Sequence, residues 1–306
     1  MKRFFQYLFF LLLISAQTFA QSIDEFQPPI TRTSAPERPL NAFSLYNNTT
    51  KVGLAEMQPI IPAFNGRGML LASWNPQPVP SSSSTVVIVH GGHGLVPTNF
   101  STGLWMFGLK VNVLILDSYW SRGAEENWLV WTRFGANTRM LDVVAAGRWL
   151  RDVQHTNPKT TFLFGDSQGG WTVLRSFTDE PFVRDKVESL YKAGISLYPN
   201  CIANGSDLKP KLGPYFASVI VFTGGKDTAT PISECSRTIF SRAITWVHYD
   251  DQTHAWDSST HGAHTAPVDG HCFKALNKYN HFEVCRSDKT TFDMREKIEA
   301  FIKANS

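Results

Sequence analysis

Six short apolar runs stand out along the chain. They are Thr85–Val89 (TVVIV), Asn112–Leu116 (NVLIL), Thr161–Phe164 (TFLF), Ala193–Leu197 (AGISL), Ser218–Phe222 (SVIVF) and Ile244–Val247 (ITWV). None alternates apolar with polar positions, so each reads as a strand buried on both faces, as in a parallel sheet. Helical segments fall between them. Thr138–Val153 places Leu141, Val144, Ala145, Trp149 and Val153 roughly on one face. Trp171–Phe177 follows the third run, and Pro231–Phe240 opens with proline at a first-turn position. Thr290–Lys303 closes the chain. Strands alternating with helices predict an α/β fold. No internal repeat is present.

The two ends of the pattern differ. Lys2 and Arg3 precede the apolar run Phe4–Ile14, and Thr18-Phe19-Ala20 stands ahead of Gln21. This is the layout of an export signal cleaved after Ala20. The run is shorter than the ~18–20 apolar residues that span a bilayer, and no later stretch reaches that length. Residues 21–50, rich in Pro, Ser, Thr and Asn, read as an extended arm, and 51–306 as a single domain. Cysteine use fits export. Cys201, Cys235, Cys272 and Cys285 form no CxxC pair, so they read as two disulfides with three possible pairings.

Composition narrows the function. The 306 residues are 42% hydrophobic and 18% charged, enough apolar material for a core. Net charge is +3, and removing Lys2 and Arg3 from the 29 basic residues leaves 27 against 26 acidic. Such balance offers nothing to nucleic acid or an anionic membrane. Asn48, Asn99 and Asn204 lie in N-x-Ser/Thr sequons. They matter only on a eukaryotic secretory route.

The chemistry-bearing residues cluster after the strands. Gly165-Asp166-Ser167-Gln168-Gly169-Gly170 joins the third run to a helix, the context of a G-x-S-x-G nucleophile turn. Such a turn lifts the serine out of the sheet at a helix N-terminus. His90-Gly91-Gly92-His93-Gly94 follows the first run, and a loop of this kind supplies one oxyanion N–H. Gly92 is the candidate donor, with Gln168 the second, and the loop's histidines shape the turn. The order Ser, acid, His then selects Asp227, 60 residues after Ser167, and His254, 27 residues further on. His261, His264, His271 and His281 form a histidine-rich stretch without a firm ligand set, so neither metal nor cofactor is expected. Trp120, Trp128, Trp131, Trp171 and Trp256 flank these segments as candidate lining for an apolar acyl or aryl pocket.

From about Val86 to Ile302 the chain resembles exported members of the dienelactone hydrolase-like branch of the α/β-hydrolases. The resemblance rests on His90-Gly91-Gly92, on Leu116-Asp117-Ser118-Tyr119 with Arg122-Gly123, and on Gly165–Gly170. It extends to Tyr198-Pro199-Asn200-Cys201, Gly225-Lys226-Asp227 through Pro231 to Cys235, and His254-Ala255-Trp256. It implies a mostly parallel sheet with helices on both faces, and cleavage of a small-molecule ester or lactone. It also implies Ser167, Asp227 and His254 as a catalytic triad. Dienelactone hydrolases carry cysteine where this chain has Ser167, which favours a general serine esterase. They bind a substrate carboxylate through arginine, and Arg122 is the candidate by position. In that fold the fourth and fifth runs are neighbouring strands, which pairs Cys201 with Cys235 and leaves Cys272 to Cys285. The alternatives are a hormone-sensitive-lipase-like esterase (there the loop reads HGGG, which His93 interrupts), a secreted peptidase, and a binding protein on a retained hydrolase scaffold.

Overall fold

The computed structural model describes residues 30, 54–123, 134–201, 213–233, 235, 241–258, 269–276 and 281–306. The expected signal segment, nearly all of the expected arm, Trp128, Trp131, Asn48, Asn204, His261 and His264 lie outside these residues.

Eight strands make one sheet. They are β1 (Gln58–Pro62), β2 (Met69–Asn75), β3 (Thr85–Val89), β4 (Asn112–Asp117), β5 (Thr161–Asp166), β6 (Ala193–Leu197), β7 (Val219–Gly224) and β8 (Ile244–Tyr249). Their spatial order is β1-β2-β4-β3-β5-β6-β7-β8. From β4 to β8 every pairing is parallel, while β2 runs antiparallel to both β1 and β4. All six apolar runs are strands of this sheet. The runs missed β1 and β2, where Pro59, Pro62 and Asn75 interrupt the apolar character.

The strands of the sheet's middle feed two cores. Val86 and Ile88 of β3, with Phe162 and Phe164 of β5, face Phe100 and Met106 of α1 (Pro97–Gly108) and Met294, Ile298 and Ile302 of α5 (Asp288–Asn305). Val87 and Val89, with Leu163 and Val221, face Met140, Val143 and Val144 of α2 (Ala136–Asp152). Val173 and Leu174 of α3 (Gln168–Ser176) and Val183 and Val187 of α4 (Pro181–Val187) complete that face. The period-2 alternation of a strand thus serves both layers, and the continuous apolar runs follow from it. Where Pro231–Phe240 was expected as a helix, Ile232, Ser233 and Cys235 are helical, and 236–240 lie outside the described residues. The excursion before the last helix contains a hairpin, β9 (Cys272–Leu276) with β10 (His281–Cys285), that no periodicity announced.

Two disulfides, Cys201–Cys235 and Cys272–Cys285, brace the C-terminal half, with Cα separations of 5.0 and 4.0 Å. The first joins the segments leaving neighbouring strands β6 and β7, and the second ties the two ends of the hairpin.

One buried ion pair fastens the turn after β4 to α2. Arg122 donates through Nη1 and Nη2 to the two carboxylate oxygens of Asp142 at 2.9 and 2.7 Å, and Nη1 also reaches the Ser118 carbonyl at 2.7 Å. Both side chains are almost fully buried. Removing one partner strands the other charge away from water, so Arg122→Met is expected to cost about 3–5 kcal/mol in guanidinium unfolding. The double replacement Arg122→Met with Asp142→Leu is expected to recover most of that loss. A single variant within 1 kcal/mol of the parent would contradict the pair's role.

Candidate active site

Ser167 stands between β5 and α3, in the backbone conformation φ 51°, ψ −114°. A non-glycine residue here is strained, and the surroundings must enforce it. They do so by close packing. A Cβ on Gly165 would lie 2.4 Å from the Gly169 carbonyl group, and one on Gly169 would lie 2.3 Å from the Val89 oxygen. Only glycine at both positions lets α3 start so near β3 and β5. The Ser167 N–H donates to the Leu197 carbonyl at the end of β6, 2.9 Å, and Asn200 N–H donates to the Ser167 carbonyl, 3.2 Å.

Asp227 and His254 arrive from the ends of β7 and β8. The two loops are stitched together where Gly225 N–H donates to the Tyr249 carbonyl and Lys226 N–H to the Gln252 carbonyl, both 2.9 Å. The His254 Nδ1 lies 2.8 Å from Asp227 Oδ2, and its Nε2 lies 3.0 Å from Ser167 Oγ. Asp227 accepts from the N–H groups of Ala229 and Thr230 at 2.9 and 2.8 Å, and from Thr230 Oγ1 at 2.8 Å. A carboxylate so surrounded by donors acts as an acceptor, so the proton between it and His254 sits on Nδ1. Nε2 is then left to accept from the Ser167 hydroxyl. Asp227 and His254 are each 5% exposed. The sequence order therefore brings these three side chains into one hydrogen-bonded line.

Aromatic rings hold the imidazole from two directions. Tyr198 lies edge-on at 4.7 Å between ring centroids, and Phe282 of β10 lies edge-on at 5.4 Å. The Cys285 N–H donates to Thr253 Oγ1 at 2.7 Å, beside His254. The histidine-rich excursion thus contributes part of the wall around His254.

The loop after β3 lies against the serine. An ideal Cβ on Gly91 would fall 3.4 Å from Ser167 Cβ and 2.7 Å from Asp166 Oδ2. Gly92 is the next residue. Gln168 is the first residue of α3, and its side chain accepts from the Tyr119 hydroxyl while Nε2 donates to the Phe134 carbonyl at 3.2 Å. His90 is buried, and His93 is held below the ordinary histidine range by burial and by neighbouring His254.

The four residues expected at the substrate pocket are placed as follows. Arg122 belongs to the buried pair with Asp142 and is not available to a substrate carboxylate. Trp171 and Trp256 are 2% and 0% exposed. Trp256 packs edge-on to Tyr198 and Tyr249 in the core. Trp120, half-buried in the turn Trp120–Arg122, packs against the core cluster of α1 and α5. Asn99, in a sequon, is 2% exposed, and its amide donates to Asp166 Oδ1 at 2.9 Å. Among the described residues, the metal-type donors that converge are Cys272, Glu283 and Cys285. Both thiols are in a disulfide, which leaves one carboxylate.

Residues that the motifs did not single out also shape the site. Thr230 touches both Asp227 and His254, and its position three residues past Asp227 is the signal for it. Asp166 is pushed up to about 7, first by burial and then by the nearby Asp257, against the Asn99 hydrogen bond and the charges of Arg139 and His254.

No family model matches the chain, and none of the curated proteins matches it. Solved structures do. A Klebsiella pneumoniae protein assigned as a dienelactone hydrolase superposes with a TM-score of 0.61 at 13% identity, over 83% of this chain and 99% of that one. Thermogutta terrifontis esterase 2, phosphoramylated by tabun, gives 0.55 at 14% identity, over 82% and 94%. The same esterase bound to butyrate gives 0.53 at 16%, over 82% and 94%. The fold is that of the α/β-hydrolases.

Two outcomes follow from this geometry. Asp166 binds its proton more tightly when folded than in the unfolded chain, where the value is near 3.8. Its contribution to stability is therefore full below about pH 4 and is lost as pH rises towards 7. The stability difference between parent and Asp166→Asn, measured by guanidinium unfolding, is expected to shift against the parent across that window. A difference that stays flat from pH 4 to 8 would contradict it. Replacing Cys272 and Cys285 together by serine is expected to remove about 3 kcal/mol of stability, the chain-entropy value for a loop of this length. It is also expected to broaden the His254 NMR resonances through loosened Phe282 and Thr253. Unchanged resonances would show that the hairpin does not hold the histidine.

Proposed function

We propose that this protein is an exported serine hydrolase that cleaves carboxylic esters or lactones through an acyl-enzyme. The observation that carries the reading is the Asp227–His254–Ser167 line, 2.8 and 3.0 Å, at the mouth of a strained strand–helix turn. The fold shared with proteins described as esterases supports it.

The chemistry follows from the atoms. Ser167 Oγ adds to the ester carbonyl carbon while its proton passes to His254 Nε2. Asp227, hydrogen-bonded to Nδ1, keeps the tautomer and steadies the imidazolium. The carbonyl electron pair moves onto oxygen, and the N–H groups of Gln168 and Gly92 are assigned to receive it, with the N-terminal end of α3 favouring the negative charge. Collapse re-forms the carbonyl, breaks the bond to the alcohol oxygen, and returns the proton from Nε2 to the leaving alcohol. Water repeats the sequence on the acyl-enzyme and releases the carboxylic acid. With Arg122 paired to Asp142, a substrate carboxylate loses its expected partner, so general esters are favoured over carboxylate-bearing lactones.

Export accounts for the N-terminal twenty residues as a removed signal. Two disulfides are compatible with it. Among the described residues, no helix is long and apolar enough to cross a membrane.

Ser167→Ala is expected to lower kcat/KM on an aryl butyrate by a factor of about 10³ or more, with the unfolding transition retained. His254→Ala is expected to fall comparably, and the pair together no further, because the two act as a unit. A Ser167→Ala enzyme within tenfold of the parent would overturn the reading.

A further inference from the structure

Behind the nucleophile turn lies a buried cluster that the reaction leaves unassigned. Arg139, on α2, is 0% exposed. A buried guanidinium ordinarily faces a carboxylate at hydrogen-bond distance. Here Nη2 donates to the His90 carbonyl oxygen and lies 3.4 Å from His90 Nδ1, and among the described residues Nε and Nη1 have no hydrogen-bond partner. The guanidinium lies over the Tyr119 ring, 5.3 Å from its centroid. Tyr119 in turn packs edge-on to His90 at 4.6 Å, and its hydroxyl donates to Gln168 Oε1.

The protonation of His90 follows from its partners. Ser118 N–H donates to Nε2 at 3.2 Å, so Nε2 is bare and Nδ1 carries the proton, which it donates to the Gly91 carbonyl at 2.7 Å. Burial, and then the charge of Arg139, hold this imidazole neutral, well below its ordinary range. One compact group, Arg139, His90 and Tyr119, thus grips two separate pieces of chain. The first is the His90–Gly91 peptide leading to Gly92. The second is Gln168 at the start of α3.

We propose that Arg139 and Tyr119 are positioning residues for the oxyanion hole, fixing the Gly92 and Gln168 N–H groups relative to each other. This rests on the serine-hydrolase reading above. Arg139 sets the peptide on the β3 side, and the Tyr119 hydroxyl sets the α3 side. A cluster made only to fill space would not need a buried guanidinium, because apolar side chains of that volume pack without the desolvation cost. Arg139 and Tyr119 touch no reacting atom, so their effect falls on the transition state, where charge develops on the carbonyl oxygen.

A trifluoromethyl ketone tests this. Ser167 Oγ adds to its carbonyl carbon, the hydroxyl proton passes to His254 Nε2, and the hemiketal oxygen becomes an anion in the oxyanion hole. The ¹⁹F shift followed against pH gives the pKa of that oxygen. Tyr119→Phe deletes one oxygen atom and is expected to fold. Rates are taken per site labelled by a fluorophosphonate, so misfolded protein does not enter. Tyr119→Phe is expected to lower kcat on an aryl butyrate by about tenfold, keep KM within twofold, and raise the hemiketal pKa by about one unit. Arg139→Lys, which keeps charge but loses the reach to His90, is expected to move kcat and the hemiketal pKa the same way. Should it not fold, Tyr119→Phe decides alone. Unchanged kcat and unchanged hemiketal pKa in Tyr119→Phe would overturn the positioning role and leave the triad reading intact. A parent that forms no hemiketal while hydrolysing the ester would overturn both.

Discussion

The Ser167 backbone, at φ 51° and ψ −114°, is the constraint around which the rest of the site is organised. A serine held there costs on the order of 1–3 kcal/mol and relaxes unless its neighbours prevent it. Prevention comes from every side. The helix that follows is pressed so closely on β3 that Gly169 has no room for a Cβ, and β6 takes the Ser167 N–H. The order of the strands makes this possible. β5, which carries the turn, lies between β3, which leads into the His90–Gly94 loop, and β6, whose end receives the serine amide. The turn is strained because three strands and a helix agree on it, and the serine oxygen emerges where the other groups can reach it.

Those groups are held by local chemistry that differs on the two flanks. On one flank the histidine is set by hydrogen bonds and rings: Asp227, Thr230, Tyr198 and, from the β9–β10 hairpin, Phe282. On the other, the loop after β3 is set by a buried polar cluster around Arg139. Low dielectric strengthens each of these hydrogen bonds and raises the cost of leaving one unmade, so small side-chain changes here have large effects. The Arg122–Asp142 pair uses the same physics for the turn after β4. That pairing is also what removes Arg122 from the substrate's reach.

How far the chain could be read depended on the range of the interaction. β3 to β7 were legible because strands buried on both faces must be continuously apolar. β8, an edge strand with no fully buried residue, was legible from its apolar run alone. The convergence of Ser167, Asp227 and His254 was legible because they lie in the loops that follow β5, β7 and β8. β1 and β2 carry prolines and an asparagine, and β9 and β10 carry Lys274 and Glu283, so neither pair offered that signal. The pairing of Arg122 was not legible, because a position after a strand does not reveal a partner on α2, twenty residues away. Arg139 was invisible for the same reason: its helical spacing marks it as neither core nor surface until α2 is docked on the sheet. The sequon at Asn99 gave no sign that its amide is a buried donor to Asp166 in the fold.

The central claim is that Ser167 Oγ is the atom that forms the bond to substrate. The most direct measurement is peptide mapping by mass spectrometry after reaction with a fluorophosphonate, on protein shown to hydrolyse an ester. One phosphonyl adduct is expected, on the peptide carrying Gly165-Asp166-Ser167-Gln168, localised to Ser167 and stoichiometric with the loss of activity. An adduct on another residue, or full loss of activity without modification of Ser167, would contradict it.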